Sequence, residues 1–150
     1  MLEFLAVVRH GTYRGYSLDT EGEAQMKVVA EAIKPSVESE RLVILHSTVA
    51  RAEQSAAIIA DTVGGTLRGR IVLESHASKD PKLPEAWALV QEAIRGGARG
   101  VVVVTHLEYT EQLPMYVVEQ LGLSVHCPFS LQKGQAWLLD LKTKTSRVIS

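Results

Sequence analysis

The sequence predicts an α/β fold, a three-layer α/β/α sandwich around a mostly parallel central sheet, and three observations carry that reading. Apolar runs rich in β-branched residues, Leu5-Ala6-Val7-Val8, Leu42-Val43-Ile44-Leu45 and Val101-Val102-Val103-Val104, have the continuous hydrophobicity of strands covered on both faces. Between them lie segments of helical periodicity, so strand and helix alternate. Each of these strands also ends on polar chemistry: Arg9-His10-Gly11, His46-Ser47 and Thr105-His106. In an open parallel sheet the carboxyl ends of the strands form one edge bordering a crevice, so residues far apart in the chain are expected to converge there.

Taken in order, the first strand runs from Leu5 towards Thr12 and gives way to a polar, glycine-containing loop from Gly11 to Ser17. A helix is predicted from about Thr20 to Ile33, with Met26, Val29, Ala30 and Ile33 on one face and Pro35 ending it. The second strand spans Arg41 to Leu45. Ser47 has the side chain of an N-cap, and a second helix extends from Val49 to Val63 until Gly64-Gly65 stops it. Ile71-Val72-Leu73 reads as a short third strand, and the polar segment from Glu74 to Leu83 as a loop. A third helix over Pro84 to Ile94 uses proline in its first turn and closes at Gly96-Gly97. The fourth strand is Gly100 to Thr105. A fourth helix is predicted from about Thr110 to Leu121, interrupted or restarted at Pro114 and ended by Gly122. Residues Gln135 to Leu141 and Ser146 to Ile149, joined by Lys142 to Thr145, read as a hairpin added to the sheet edge.

Composition narrows the function. A chain of 150 residues is the size of one domain, 1–150, and can bury its own core. A net charge of -1 lacks the cationic surplus on which unspecific nucleic-acid or anionic-membrane binding rests, so neither partner is expected. The longest apolar runs fall short of a membrane span, and the opening Met-Leu-Glu-Phe carries no basic leader. Cys127 stands alone, which excludes an internal disulfide and fits the cytoplasm; it reads as buried filler. No spacing of His, Cys or acidic residues suits a metal site, and no metal or cofactor is expected.

The strand ends carry the chemistry. Arg9 and Arg51 are permanent cations with planar forks that match paired phosphate oxygens, while His10 and His106 can act as nucleophile, acid or donor near neutral pH. Arg51 falls in the first turn of a helix, where the dipole already presents positive charge. A cation there costs about 0.3–1 kcal/mol unless an anion is bound. His46, His76 and His126 have no placed cation beside them and read as structural histidines.

Four blocks together resemble the histidine phosphatase superfamily, also called phosphoglycerate mutase-like. They are Arg9-His10-Gly11, Leu18-Asp19-Thr20-Glu21-Gly22-Glu23-Ala24-Gln25, the run from Ser47 to Ala56 that contains Arg51-Ala52-Glu53-Gln54, and Val103-Val104-Thr105-His106. Within the superfamily the chain most resembles the small SixA-type phosphohistidine phosphatases. The resemblance implies a phosphoglycerate mutase-like fold and a metal-independent phosphatase. It also implies His10 as nucleophile, forming a transient phosphohistidine, with Arg9, Arg51 and His106 binding the phosphoryl group. Such roles suit phosphoryl transfer, which asks mainly for positioning and fixed positive charge around the equatorial oxygens. The attacking imidazole must be neutral, and its other nitrogen is expected to donate to a backbone carbonyl within the Gly11 loop.

Larger members of the superfamily place a glutamate shortly after the third strand as proton donor to the leaving group. Glu74, in Val72-Leu73-Glu74, is the candidate here, with Asp19, Asp80, Glu85 and Glu108 as rivals. The first loop lacks the asparagine of many mutase-like members, and Asp19 stands where threonine is usual. Tyr13, Arg14, Tyr16 and Ser17 fill the region, and Ser17 is a further substrate-binding candidate. Arg14, Lys79, Lys82 and Lys133 are surface cations that could rim the crevice. The lack of long roofing insertions suits a phosphorylated protein or several small phosphomonoesters, with phosphate ion as product. A small-metabolite phosphomonoesterase, a mutase-like enzyme and a non-catalytic phosphate-binding module are the alternatives.

Overall fold

The apolar runs form the centre of a six-stranded sheet. In a computed structural model that describes residues 1–74 and 80–150, β6 (Gly100–Thr105) lies between β1 (Phe4–Arg9) and β4 (Leu42–His46), and all three are parallel. The parallel set is completed at one edge by β5 (Thr66–Gly69), beside β4. On the other side of β1 the chain's last two strands, β7 (Ala136–Asp140) and β8 (Thr145–Ile149), add as an antiparallel hairpin. The order is β5-β4-β6-β1-β7-β8. A separate small ribbon, β2 (Tyr13–Arg14) paired with β3 (Ser17–Leu18), follows β1 in the loop where the sequence showed only polar residues.

Alternation along the strands sorts side chains into two layers. Phe4, Ala6, Val8, Ile44, Val102 and Val104 pack with Met26, Val29 and Ile33 of α1 (Thr20–Ile33) and Ala52, Ala56 and Ile59 of α2 (Ala50–Val63). Leu5, Val7, Val43, Leu45, Val101 and Val103 face the opposite way. They meet Trp87 and Val90 of α3 (Leu83–Arg95) and Tyr109, Leu113 and Val117 of α4 (Leu107–Leu121). These are the three layers that the strand-helix alternation predicts, and each such buried aliphatic or aromatic side chain contributes about 1.5–3 kcal/mol.

The expected third strand is corrected. Ile71–Leu73 is a short 3-10 helical turn, and the strand is the preceding Thr66–Gly69. Two side chains, one from the end of β6 and one from the first turn of α4, capture the backbone there: Thr105 Oγ1 donates to the Leu73 carbonyl at 2.6 Å, and the Tyr109 hydroxyl donates to the Val72 carbonyl. With its carbonyls satisfied in this way, the turn needs no ladder partner, and Ile71 is left outside. The fourth helix is also corrected: it starts at Leu107 and runs through Pro114 without interruption, with Leu113, Pro114 and Val117 all buried. Its end at Gly122, in the left-handed region at φ 65°, is as the sequence predicts. At the start of α2 the N-cap position belongs to Val49; Ser47 lies two residues earlier, and its hydroxyl accepts from the Val49 amide at 3.2 Å. His76 and Lys79 lie outside the described residues.

The segment after β1 is held against α1 by a contact only glycine allows. A Cβ at Gly11 would stand 2.6 Å from the Gly22 carbonyl oxygen, and one at Gly22 would run into the Thr12 carbonyl. Gly22→Ala would ordinarily favour a helix by about 0.5–1 kcal/mol. Here it is expected instead to destabilise the fold by about 1–3 kcal/mol through overpacking, read as a lower urea midpoint. An unchanged or raised midpoint would show that α1 slides away freely.

Candidate active site

The register of the sheet assembles the site. Arg9 pairs with Thr105 in the β1–β6 ladder, and the His10 amide still donates to the Thr105 carbonyl at 3.2 Å. His10 and His106 therefore leave neighbouring strands at the same level, with ring centroids 5.1 Å apart and planes inclined by 62°. On the β4 side, the Ser47 amide donates to the Val104 carbonyl at 3.0 Å, and Ser47 Oγ lies 2.8 Å from His106 Nε2. Arg51, in the first turn of α2, points back to the same place and its Nε–H donates to His10 Nε2 at 3.2 Å.

His10 is only 3% exposed, and its protonation is set by its partners. Nδ1 lies 2.9 Å from the Gly11 carbonyl oxygen, which can only accept, so Nδ1 carries the proton and Nε2 keeps its lone pair. Burial pushes the imidazole pKa down from 6.5 to about 4, against the raising effect of the Gly11 carbonyl. The positive charges of Arg51, Arg9 and Lys133 push the same way. At neutral pH the ring is neutral, with its lone pair directed at a cation.

Arg9 is anchored from the far side, where one terminal nitrogen donates to the Leu131 carbonyl at 3.0 Å. Its Nε is buried without a hydrogen-bond partner among the described residues. Burial lowers its pKa, and nearby Glu108 and Glu111 oppose that shift. Arg51 has no carboxylate at ion-pair distance among the described residues. Its guanidinium lies 4.5 Å from the Tyr13 ring centroid, and the Tyr13 ring meets His10 edge-on at 5.4 Å. Ser55 ties the two parts together: its Oγ accepts from the Gly11 amide at 3.1 Å and donates to the Arg51 carbonyl at 2.7 Å.

Thus Arg9, His10, Arg51 and His106, all picked out from the sequence, stand together. Glu74 comes to the same strand-end edge, where Thr48 donates to its carboxylate and the neighbouring Ser47 holds His106. Of the rival carboxylates, Asp19 is the N-cap of α1, accepting from the Gly22 amide at 2.7 Å and from Thr12 Oγ1 at 2.6 Å. The Thr12 bond, then the Gly22 bond, hold its pKa below the usual 3.8. Glu108 is in the first turn of α4, close enough to Arg9 to influence its charge, whereas Asp80 and Glu85 are exposed. Ser17 is not brought to the four. It sits on the β3 ribbon, where its hydroxyl accepts from Gln54 at 3.4 Å, and it lines a different depression with Lys27 and Ile58.

His46 is buried and bonds its Nδ1 to the Ser47 carbonyl, while the His126 carbonyl accepts from Trp137 and Ser146. Cys127 is half-buried, with burial raising its pKa above 9.0. No group of three metal-binding side chains occurs among the described residues. Sequence reasoning missed Tyr13, Ser47 and Ser55 as working parts. Ser55 had a usable signal, four residues after Arg51 on one helix face.

The arrangement can bind an oxyanion and present a neutral nitrogen nucleophile to it. It also makes stability depend on pH. Below pH 6.5 the unfolded chain protonates His10, whereas the folded imidazole refuses the proton down to about pH 4. Stability is therefore expected to fall as pH drops through that window, by an amount on the order of 3 kcal/mol. His10→Asn is expected to flatten the urea-midpoint profile over the same range, and a variant profile parallel to wild type would contradict the assignment.

No family model matches the sequence, and no curated protein matches it. Solved structures do. The chain is similar to the protein histidine phosphatase SixA complexed with tungstate, with TM-score 0.68 and 20% identity, covering 98% of this chain and 94% of that one. It is similar to a candidate phosphohistidine phosphatase SixA from Agrobacterium tumefaciens, with TM-score 0.63 and 16% identity over 100% and 97% of the two chains. A mycobacterial glucosyl-3-phosphoglycerate phosphatase in complex with inorganic phosphate is also similar, at TM-score 0.61 and 19% identity over 97% and 95%. At these identities the likeness is one of architecture, and the chain has the phosphoglycerate mutase-like fold that these phosphatases share.

Proposed function

We propose that this chain is a metal-independent phosphatase of the histidine phosphatase superfamily, hydrolysing a phosphoryl group through a phosphohistidine on His10. The observation that carries the reading is the buried, neutral His10, whose Nδ1 is committed to the Gly11 carbonyl and whose Nε2 is turned to Arg51. An imidazole so prepared needs no deprotonation before attack. Proteins of the same fold are complexed with tungstate and with inorganic phosphate, which supports oxyanion binding by this chain.

In the first step His10 Nε2 forms a bond to phosphorus while the bond to the leaving group breaks. The leaving atom takes a proton from Glu74. Arg9, Arg51 and His106 hold the three equatorial oxygens, and this fixed charge supplies most of the catalysis. In the second step a water, giving its proton to Glu74, attacks phosphorus; the phosphorus–nitrogen bond breaks and phosphate leaves. Glu74 returns to its acid form for the next cycle.

The substrate we favour is a phosphohistidine displayed on a protein, as in SixA-type enzymes. Tyr16, 86% exposed beside the tip of the β2–β3 ribbon, and exposed Arg14 and Lys133 offer a broad surface to a large partner rather than an enclosed cup. A cytoplasmic setting fits the single cysteine.

In excess chelator the protein is expected to hydrolyse p-nitrophenyl phosphate, and His10→Ala to abolish turnover while remaining folded. Arg51→Ala is expected to lower kcat by about 100- to 1000-fold, the usual loss for one preorganised charge donor. The acid limb of kcat/KM is expected near pH 4. Vanadate binding without turnover by wild type would replace the enzyme with a phosphate-reading module, and activity surviving in His10→Ala would remove the nucleophile.

A further inference from the structure

Two cations share the Tyr13 ring. Arg51 Cζ stands 4.5 Å and Lys133 Nζ 4.8 Å from its centroid, and the same ring meets His10 edge-on. Aromatic faces attract cations, so one ring holds two like charges near the nucleophile. Lys133 is distant in sequence, yet its backbone is fixed there. The next residue, Gly134, donates its amide to the His10 carbonyl at 2.9 Å, and the Arg9 amide donates to the Gln135 carbonyl at 3.0 Å. Gly134 has φ 81°, and a Cβ on it would run into the Gln25 side chain. The turn thus has one position, and only the four-carbon lysine stem is free to move.

The charges nearby are unequally compensated. Arg9 has Glu108 and Glu111 close by, and Lys133 is near enough to Asp19 to help lower its pKa, although that carboxylate is already committed to the Thr12 hydroxyl and the Gly22 amide. Arg51 and Lys133 have no carboxylate at ion-pair distance among the described residues. Two positive charges, neither closed into an ion pair among the described residues, match the dianion of a phosphoryl group.

We infer that Lys133 is a further phosphoryl-binding residue of this site, held ready on the Tyr13 ring and drawn onto an equatorial oxygen when the anion enters. Its catalytic consequence rests on the phosphatase reading; its anion binding does not. Tyr13 is then a positioning residue for both cations. The lowering of the His10 pKa by Lys133 agrees with a charge placed within reach of the ring.

The test measures affinity for orthovanadate and inorganic phosphate by calorimetry, together with kcat/KM for p-nitrophenyl phosphate against pH. Lys133→Gln is expected to weaken both anions by about tenfold, the loss typical of one charge-assisted contact. It is also expected to move the acid limb of kcat/KM upward, because a like charge beside His10 is gone. Lys27→Gln, an exposed cation on α1, is expected to change neither. Tyr13→Phe keeps the ring and is expected to bind as wild type, whereas Tyr13→Leu loses affinity. Wild-type affinity in Lys133→Gln, or an equal loss in Lys27→Gln, overturns the inference. Anion binding that depends on Lys133 without turnover in wild type would leave it standing and remove the phosphatase reading, while a wild type that binds neither anion overturns both.

Discussion

The site depends first on the register of two parallel ladders. β1 and β6 pair residue for residue from Phe4 opposite Gly100 to Arg9 opposite Thr105, and β4 pairs with β6 up to His46 opposite Val104. In each case the sheet's hydrogen bonding continues one residue beyond the strand, through the His10 and Ser47 amides. A one-residue slip would exchange the faces of every strand side chain and put Val8 and Val104 on the wrong layer. The hydrophobic layers therefore specify where the two histidines end up, and the polar groups have little say in it.

The polar groups decide what the histidines are. Around His10, burial and the charges of Arg51, Arg9 and Lys133 oppose its protonation, and the Gly11 carbonyl favours it. The result is a neutral base in surroundings that would welcome an anion. Arg51 is placed against the local preference twice over, at the positive end of a helix and beside another arginine. It stays because Ser55 bonds its carbonyl and Tyr13 covers its guanidinium. Such arrangements lower stability where ligand binding gains from it.

What could be read from the sequence followed from what is encoded locally. The buried strands β1, β4 and β6 announce themselves by uninterrupted apolar runs, and the rule that ligands gather at strand ends then selects Arg9, His10, Arg51 and His106. β5 was not legible, because Thr66-Leu67-Arg68-Gly69 is an edge segment without a two-sided apolar pattern. Ile71-Val72-Leu73 has the composition of a strand, and only the distant Thr105 and Tyr109 side chains make it a turn. Pro114 forecasts a break that packing overrides. Ser17 stands on the β2–β3 ribbon, where its hydroxyl accepts from Gln54, a placement that depends on a pairing no local pattern expresses. The Tyr13–Lys133 contact joins the first loop to the last, which no local pattern expresses.

The strand order also has a consequence for the birth of the protein. β1, which carries Arg9 and leads into His10, has no sheet partner from its own half of the chain: its neighbours are β6 and β7. Because β6 and β7 lie late in the sequence, β1 is synthesised well before both of its sheet partners and stays apolar and unpaired until they follow. Closing so long a loop is entropically costly and slows folding, and it exposes a β-branched edge meanwhile. The same order means that Arg9 and His10 meet Thr105 and His106 only once β6 has been made and has paired with β1.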